Sequence, residues 1–215
     1  VRTERMAGKV VLTEEERQKV LMEVDILTLA ALKLSGFPEN RVIGSGTVLD
    51  TARLKNMLGK QLGIDNRGVH AFIVGEHGDS EVAVFSSANV SGIPLEQIYK
   101  LRGYEEYESH TKRIYEEVKN SAYEIIERKQ ATYYGIAMAI KRICECIVRD
   151  EHSVLPVSSL MHGQYGISDI VLSMPAVVDA GGVEQILPVS LDEEERARLH
   201  ASAKALRDVI ADIEL

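Results

Sequence analysis

"SVLPVSSL" (Ser153–Leu160), "DIVLSMPAVVD" (Asp169–Asp179) and "VEQILPVSL" (Val183–Leu191) follow one another with no helical pattern between them. Each is short and rich in β-branched and apolar residues, the pattern of a strand. Gly181 and Gly182 mark a turn between the last two. The chain before this block reads mainly as helices. "TVLDTARLKNMLGKQLG" (Thr47–Gly63) carries Leu54, Leu58 and Leu62 at four-residue intervals, so one helical face is buried. Pro94 suits the first turn of a helix over "PLEQIYKLRG". Tyr104 to Lys129 predicts a long helix with Ile114, Val118, Ile125 and Ile126 on one side, a break near Gln130, and resumption in "TYYGIAMAIKRICECIV".

Two β-prone runs, "VHAFIVG" and "EVAVF", flank a glycine-rich loop, and "RVIG" (Arg41–Gly44) is a further short strand candidate. Thr13 with Glu16 has capping-box spacing, and the helix it opens extends through "DILTLAALKLSG" to Gly36, with Pro38 just beyond. Asp192 with Glu195 opens the last helix, which turns Leu199, Ala203, Leu206 and Ile210 inward. "VVLTEEERQKVL" and "VSLDEEERARLH" resemble each other, either because acidic helix starts look alike or because one was copied from the other.

The 215 residues carry 45% hydrophobic and 27% charged residues, a globular composition with enough chain for a sizeable core. A formal net charge of −8 argues against nucleic acid or an anionic membrane surface as partner. No apolar run reaches membrane-helix length, and the first residues lack the apolar core of a secretory signal. Cys144 and Cys146 are two apart on a helix, a poor spacing for a metal pair or a disulfide. Both are expected to be buried, inert thiols in a reducing cytoplasm, and no metal site is expected.

The chemistry concentrates in "GEHGDSEVAVFSS" (Gly75–Ser87), where a strand delivers His77 into a loop between Glu76 and Asp79. Asp50 and Arg53 share a helix face at i and i+3. By itself such a pair is an ordinary surface ion pair. Beside a histidine, the carboxylate can orient the imidazole and steady its charged form. The arginine fork can take a substrate carboxylate.

"RVIGSGTVLDTAR", "GEHGDS" and "KQATYYGIAMA", in this order, resemble the bacterial L-lactate dehydrogenase family, and "VSSLMHGQYGISD" and "MPAVV" extend the similarity from Val24 to Leu215. The resemblance implies an α+β substrate domain, long helices packed on antiparallel strands, over residues 24–215. Residues 1–23 have no family match. It implies His77 as general acid/base, Asp50 as its partner, Arg53 and Thr132 as substrate-binding residues, and Ser45 beside the nicotinamide. The implied reaction is hydride exchange between NAD and pyruvate or L-lactate, with His77 moving the hydroxyl proton. Lys55 and His70 match the positions that bind fructose 1,6-bisphosphate in the family's activated members. At each, a surface lysine and an ordinary strand histidine is the alternative. His110, His152, His162 and His200 are read as surface or packing residues. A homo-oligomer, the family tetramer, is implied as well.

The sequence also departs from the family. There is no G-x-G-x-x-G, because Leu49 stands where "GSGTVL" would need its third glycine. The mobile loop that carries a second arginine and the main specificity residue has no counterpart. Where the family reads roughly "SNPVDILT", this chain reads "LMEVDILT", so Met22 and Glu23 replace an asparagine and a proline. The expected state is therefore a C-terminal substrate domain without its dinucleotide-binding half, inactive alone. A lactate-like malate dehydrogenase and a non-catalytic module acting by association remain the alternatives.

Overall fold

The computed structural model describes residues 24–129 and 133–213, with side chains over the same ranges apart from 122–129 and 212–213. The readings on Thr13, Glu16, Met22, Glu23, Gln130, Thr132 and the side chains of Ile125 and Ile126 lie outside the described residues. Six helices and six strands are described, all strand pairs antiparallel. In chain order they are α1 (Val24–Ser35), α2 (Val48–Leu62), β1 (Val69–Val74), β2 (Val82–Val90), β3 (Ile93–Pro94), α3 (Leu95–Leu101), α4 (Tyr107–Lys129), α5 (Tyr134–Val148), β4 (Ser153–His162), β5 (Ser168–Asp179), β6 (Gly182–Ile186) and α6 (Glu193–Ile213).

β1, β2 and β3 form one sheet, and β4, β5 and β6 a second. Leu54, Leu58 and Leu62 of α2 join Ile73, Tyr99, Ile114 and Val118 in a core beside the first sheet. Ile26 of α1, Ile143 of α5, and Leu199, Ala203 and Leu206 of α6 join Leu172 and Met174 in a second core. The leucine spacing of α2 and the inward set of α6 are as the sequence predicts, with Ile210 half-buried. The capping box of α6 is reciprocal: the Glu195 amide donates to Asp192 Oδ1 at 2.7 Å, and the Asp192 amide to Glu195 Oε2 at 3.1 Å.

Three local expectations change. "RVIG" is no strand: residues 39–41 form a single 3₁₀ turn and Gly44 makes one isolated bridge to Ser158 of β4. Pro94 precedes α3 as its N-cap and pairs with Asn89 of β2 instead of entering the helix. Cys144 is exposed; only Cys146 is buried, its thiol donating to the Val178 carbonyl at 3.1 Å. α5 buries one face, and positions two apart on a helix cannot both lie on it.

The turn between β5 and β6 is packed against the 3₁₀ turn. Asn40 Nδ2 donates to the Gly181 carbonyl at 2.8 Å. Gly182 has φ +114°, and a Cβ there would run into the Asn40 carbonyl. We therefore expect Gly182→Ala to destabilise the chain by about 3 kcal/mol or more, from backbone strain and steric conflict together. Urea unfolding measures this; an unchanged midpoint would show that the turn is not held as described.

Candidate active site

α2 begins against β1, and its first turn positions the candidate site. Thr47 makes no side-chain cap bond. Its hydroxyl instead donates to the Ile73 carbonyl at 2.6 Å, while Thr51 Oγ1 accepts from the Ile73 amide at 2.9 Å. Two hydroxyls on one helix turn thus satisfy both backbone groups of a residue four positions before His77. The backbone ahead of α2 must lie close to β4: Gly46 has φ +50°, and a Cβ on it would meet the Ser158 amide at 2.7 Å. The glycines of "GSGT" therefore serve close backbone packing.

The loop after β1 is held at four points. Gly75 bridges to Ser173 of β5 through two backbone bonds of 2.9 Å. The Glu76 amide donates to Ser202 Oγ on α6 at 2.8 Å. The Glu76 carboxylate closes the turn by accepting from the Ser80 amide at 3.0 Å and from the Ser80 hydroxyl. The His77 amide donates to Asp25 Oδ2 on α1 at 2.7 Å. With its backbone fixed, His77 places Nδ1 2.7 Å from Asp50 Oδ2. The contact is a short polar approach that becomes an ion pair when the ring is protonated. Arg53 Nη1 donates to the other oxygen, Asp50 Oδ1, at 3.1 Å. The His77 side chain stays 34% exposed while Asp50 is 6% exposed, so the ring joins a buried carboxylate to solvent.

The structure thus brings three sequence-predicted residues, Asp50, Arg53 and His77, together. Ser45 lies half-buried in the turn before α2, its carbonyl accepting from the Val48 amide at 3.3 Å. Lys55 is half-buried on α2, where burial pulls its amine below the usual lysine range. His70 is exposed on β1, which packs against α2. His110 packs on Tyr99 and Tyr104, while His152 and His162 are surface residues facing Asp150 and Glu39 respectively.

Two site acids carry no sequence signal. Asp25, 1% exposed, accepts from the His77 amide and the Ser158 hydroxyl. Burial raises its pKa to about 6 against these bonds and the charge on His77, which favour the carboxylate. Glu81, 5% exposed, lies beside the pair, with a carboxylate oxygen within 4.8 Å of both. At His77 itself, burial disfavours the imidazolium, but the Asp50 contact and charge, followed by those of Asp25 and Glu81, outweigh it and raise its proton affinity.

For Asp25 the folded carboxyl holds its proton more tightly than the unfolded one. Its contribution to stability is therefore greatest below pH 3.8 and falls as pH rises to about 6. Asparagine can keep the bond from the His77 amide, with Ser158 turning its hydroxyl toward Ser173 Oγ, 3.0 Å away. The stability of Asp25→Asn relative to the unaltered chain is expected to improve by about 3 kcal/mol across that window. Urea unfolding at pH 3.5 and 7 reads this difference, and a gap that does not change with pH contradicts the assignment.

Residues 47–214 match the model of the lactate/malate dehydrogenase alpha/beta C-terminal domain. The L-lactate dehydrogenase of Acetivibrio thermocellus is 51% identical over 192 residues, which is 89% of this chain and 61% of that protein. The L-lactate dehydrogenase of Moorella thermoacetica is 49% identical over 193 residues, with the same two coverages. Among solved structures, the minor L-lactate dehydrogenase of Enterococcus mundtii in its ligands-bound form superposes with a TM-score of 0.84 at 44% identity, over 88% of this chain and 60% of that one. A lactate dehydrogenase from a Medee basin deep-sea metagenome gives 0.86 at 43% identity, over 89% and 61%. The chain spans about 61% of the length of the curated relatives it matches. With this domain match over most of its length, the chain belongs to the lactate/malate dehydrogenase family and contains that family's C-terminal domain.

Proposed function

We propose that these residues form the proton-transfer and carboxylate-binding half of an L-lactate dehydrogenase, acting on pyruvate and L-lactate with NAD as hydride carrier. The observation that carries this reading is the 2.7 Å approach of His77 Nδ1 to a buried Asp50 whose other oxygen is held by Arg53. Asp50 fixes the ring and steadies its charge, leaving Nε2 to exchange a proton with the substrate oxygen. Arg53, oriented by Asp50, receives the substrate carboxylate, and Thr132 is assigned to the same pocket by resemblance. The described residues do not fit a whole dinucleotide, because both sheets are antiparallel and neither begins a βαβ unit. Only Ser45 is assigned to the nicotinamide end.

The 215 residues alone are therefore expected to give no pyruvate-dependent oxidation of NADH. Joined to the part of the Acetivibrio thermocellus relative that they do not cover, they are expected to turn over. His77→Ala should then slow the reaction by about a hundred- to ten-thousand-fold, and Arg53→Gln should mainly raise the pyruvate concentration required. An unchanged rate in His77→Ala would refute the acid/base role, and micromolar NADH binding by the 215 residues alone would refute the half-site reading.

Lys55 and His70 are proposed as an activator site for fructose 1,6-bisphosphate, supported by their place on packed elements. Self-association into the family's oligomer is proposed from apolar side chains left in solvent, such as Phe37 at 65% and Tyr134 at 75% exposure. Two free cysteines fit a reducing, cytoplasmic setting. No helix among the described residues is long and apolar enough to cross a membrane.

A further inference from the structure

Glu81 takes no part in the proton transfer described above, yet it is buried against the groups that perform it. Its carboxylate, the Asp50 carboxylate and a His77 ring nitrogen each place an atom within 4.8 Å of the others. Glu81 Oε1 is fully buried and accepts no hydrogen bond. The backbone around it is fixed, since the Glu81 amide donates to the Gly78 carbonyl at 3.3 Å and Tyr115 on α4 donates its hydroxyl to the Glu81 carbonyl. An ionised carboxylate with a dry, unpartnered oxygen is strongly disfavoured, and a second carboxylate beside it adds repulsion. A tetrahedral zinc ion is a poor alternative occupant. Two ligands of one tetrahedral zinc lie roughly 3.3 Å apart, and His77 and Asp50 already stand at 2.7 Å.

We propose that Glu81 is a positioning residue for His77 and the third titrating member of the His77–Asp50 relay: it keeps its proton while His77 gives one up, so that the buried group reaches one net negative charge instead of two. With Asp50 ionised, His77 charged and Glu81 neutral, the three groups sum to zero. Proton donation by His77 takes them to minus one. Ionisation of Glu81 would take them to minus two, and the added charge makes the imidazole hold its proton more tightly, weakening it as an acid. The two ionisations are therefore coupled, and the relay has an alkaline limit set by Glu81.

On balance the surroundings of Glu81 favour its protonated form. Burial, followed by the Asp50 charge, raises its pKa to about 8, while His77 and Lys119 of α4 oppose that rise and Glu76 adds to it. Lys119 is directed to the Asp79 carbonyl at 2.7 Å, outside the pocket. Arg198 of α6 lies over the Tyr115 ring, Arg53 is bonded to Asp50, and Asp25 faces His77 from α1. The coupling rests on this geometry alone. Its consequence for turnover rests on the acid/base role proposed for His77.

The test uses the 215-residue chain and needs no turnover, so failure of the coupling and failure of the acid/base role appear separately. Carboxyl ¹³C resonances of glutamate and ring resonances of His77 are followed by NMR across pH 5 to 10. The proposal expects Glu81 to titrate well above the other glutamates and His77 to show a second inflection at the same pH. In Glu81→Gln, the second inflection of His77 should disappear while the first step keeps its midpoint, because protonated Glu81 and glutamine are both neutral. Titration of Glu81 within the ordinary glutamate range overturns the proposal without any variant. A Glu81→Gln curve for His77 that superimposes on the unaltered one also overturns it.

Discussion

One buried carboxylate, that of Asp25, joins parts of the chain that lie 52 and 133 residues apart. It accepts from the backbone of the histidine loop on one side and from Ser158 of β4 on the other. Ser158 and Ser173 are register partners on β4 and β5, and the same two residues bridge to Gly44 and Gly75. The segment that leads into α2 and the segment that leads into the His77 loop are therefore anchored on one pair of neighbouring strand residues. Hydrogen bonds to a charged acceptor each contribute about 1.5–3 kcal/mol, while burial of the charge opposes them. The result is a contact that favours placing the loop over maximising stability.

Around that anchor the electrostatics are graded. Arg53 and the ring of His77 occupy the two oxygens of Asp50, so this buried acid has cationic or proton-bearing partners on both sides. Glu76 is spent on closing its own turn. Asp25 and Glu81 flank His77 and are the acids whose proton affinity burial raises most clearly. A site built this way disfavours negative charge at Asp25 and Glu81, which suits the proton-exchange role proposed for His77.

The sequence revealed what is local. Leucines four apart describe α2, the i, i+3 pair describes Asp50 and Arg53, and Asp192 with Glu195 describes the start of α6, because each pattern is completed within one or two helical turns. The role proposed for His77 rests on the family resemblance, since nothing within its own loop names Asp50 as its partner. Asp25 and Glu81 were not legible. Each looks like an ordinary acid in its segment, and only the tertiary structure shows that their water has been removed. The same holds for Thr47 and Thr51, whose hydroxyls act on a strand 26 and 22 residues away. Cys144 was misread because one buried face of α5 was extended to a neighbour two positions along.

The central claim is that Asp25 and the strand serines hold the His77 backbone in place within this chain before any ligand binds. Amide hydrogen exchange of His77 tests it most directly, because its side chain is one-third exposed while its N–H is bonded to Asp25. The account predicts that this loop amide exchanges as slowly as the amide of Ile73 in β1, opening only with the fold. Exchange on the timescale of an open loop, with Ile73 still protected, would contradict it.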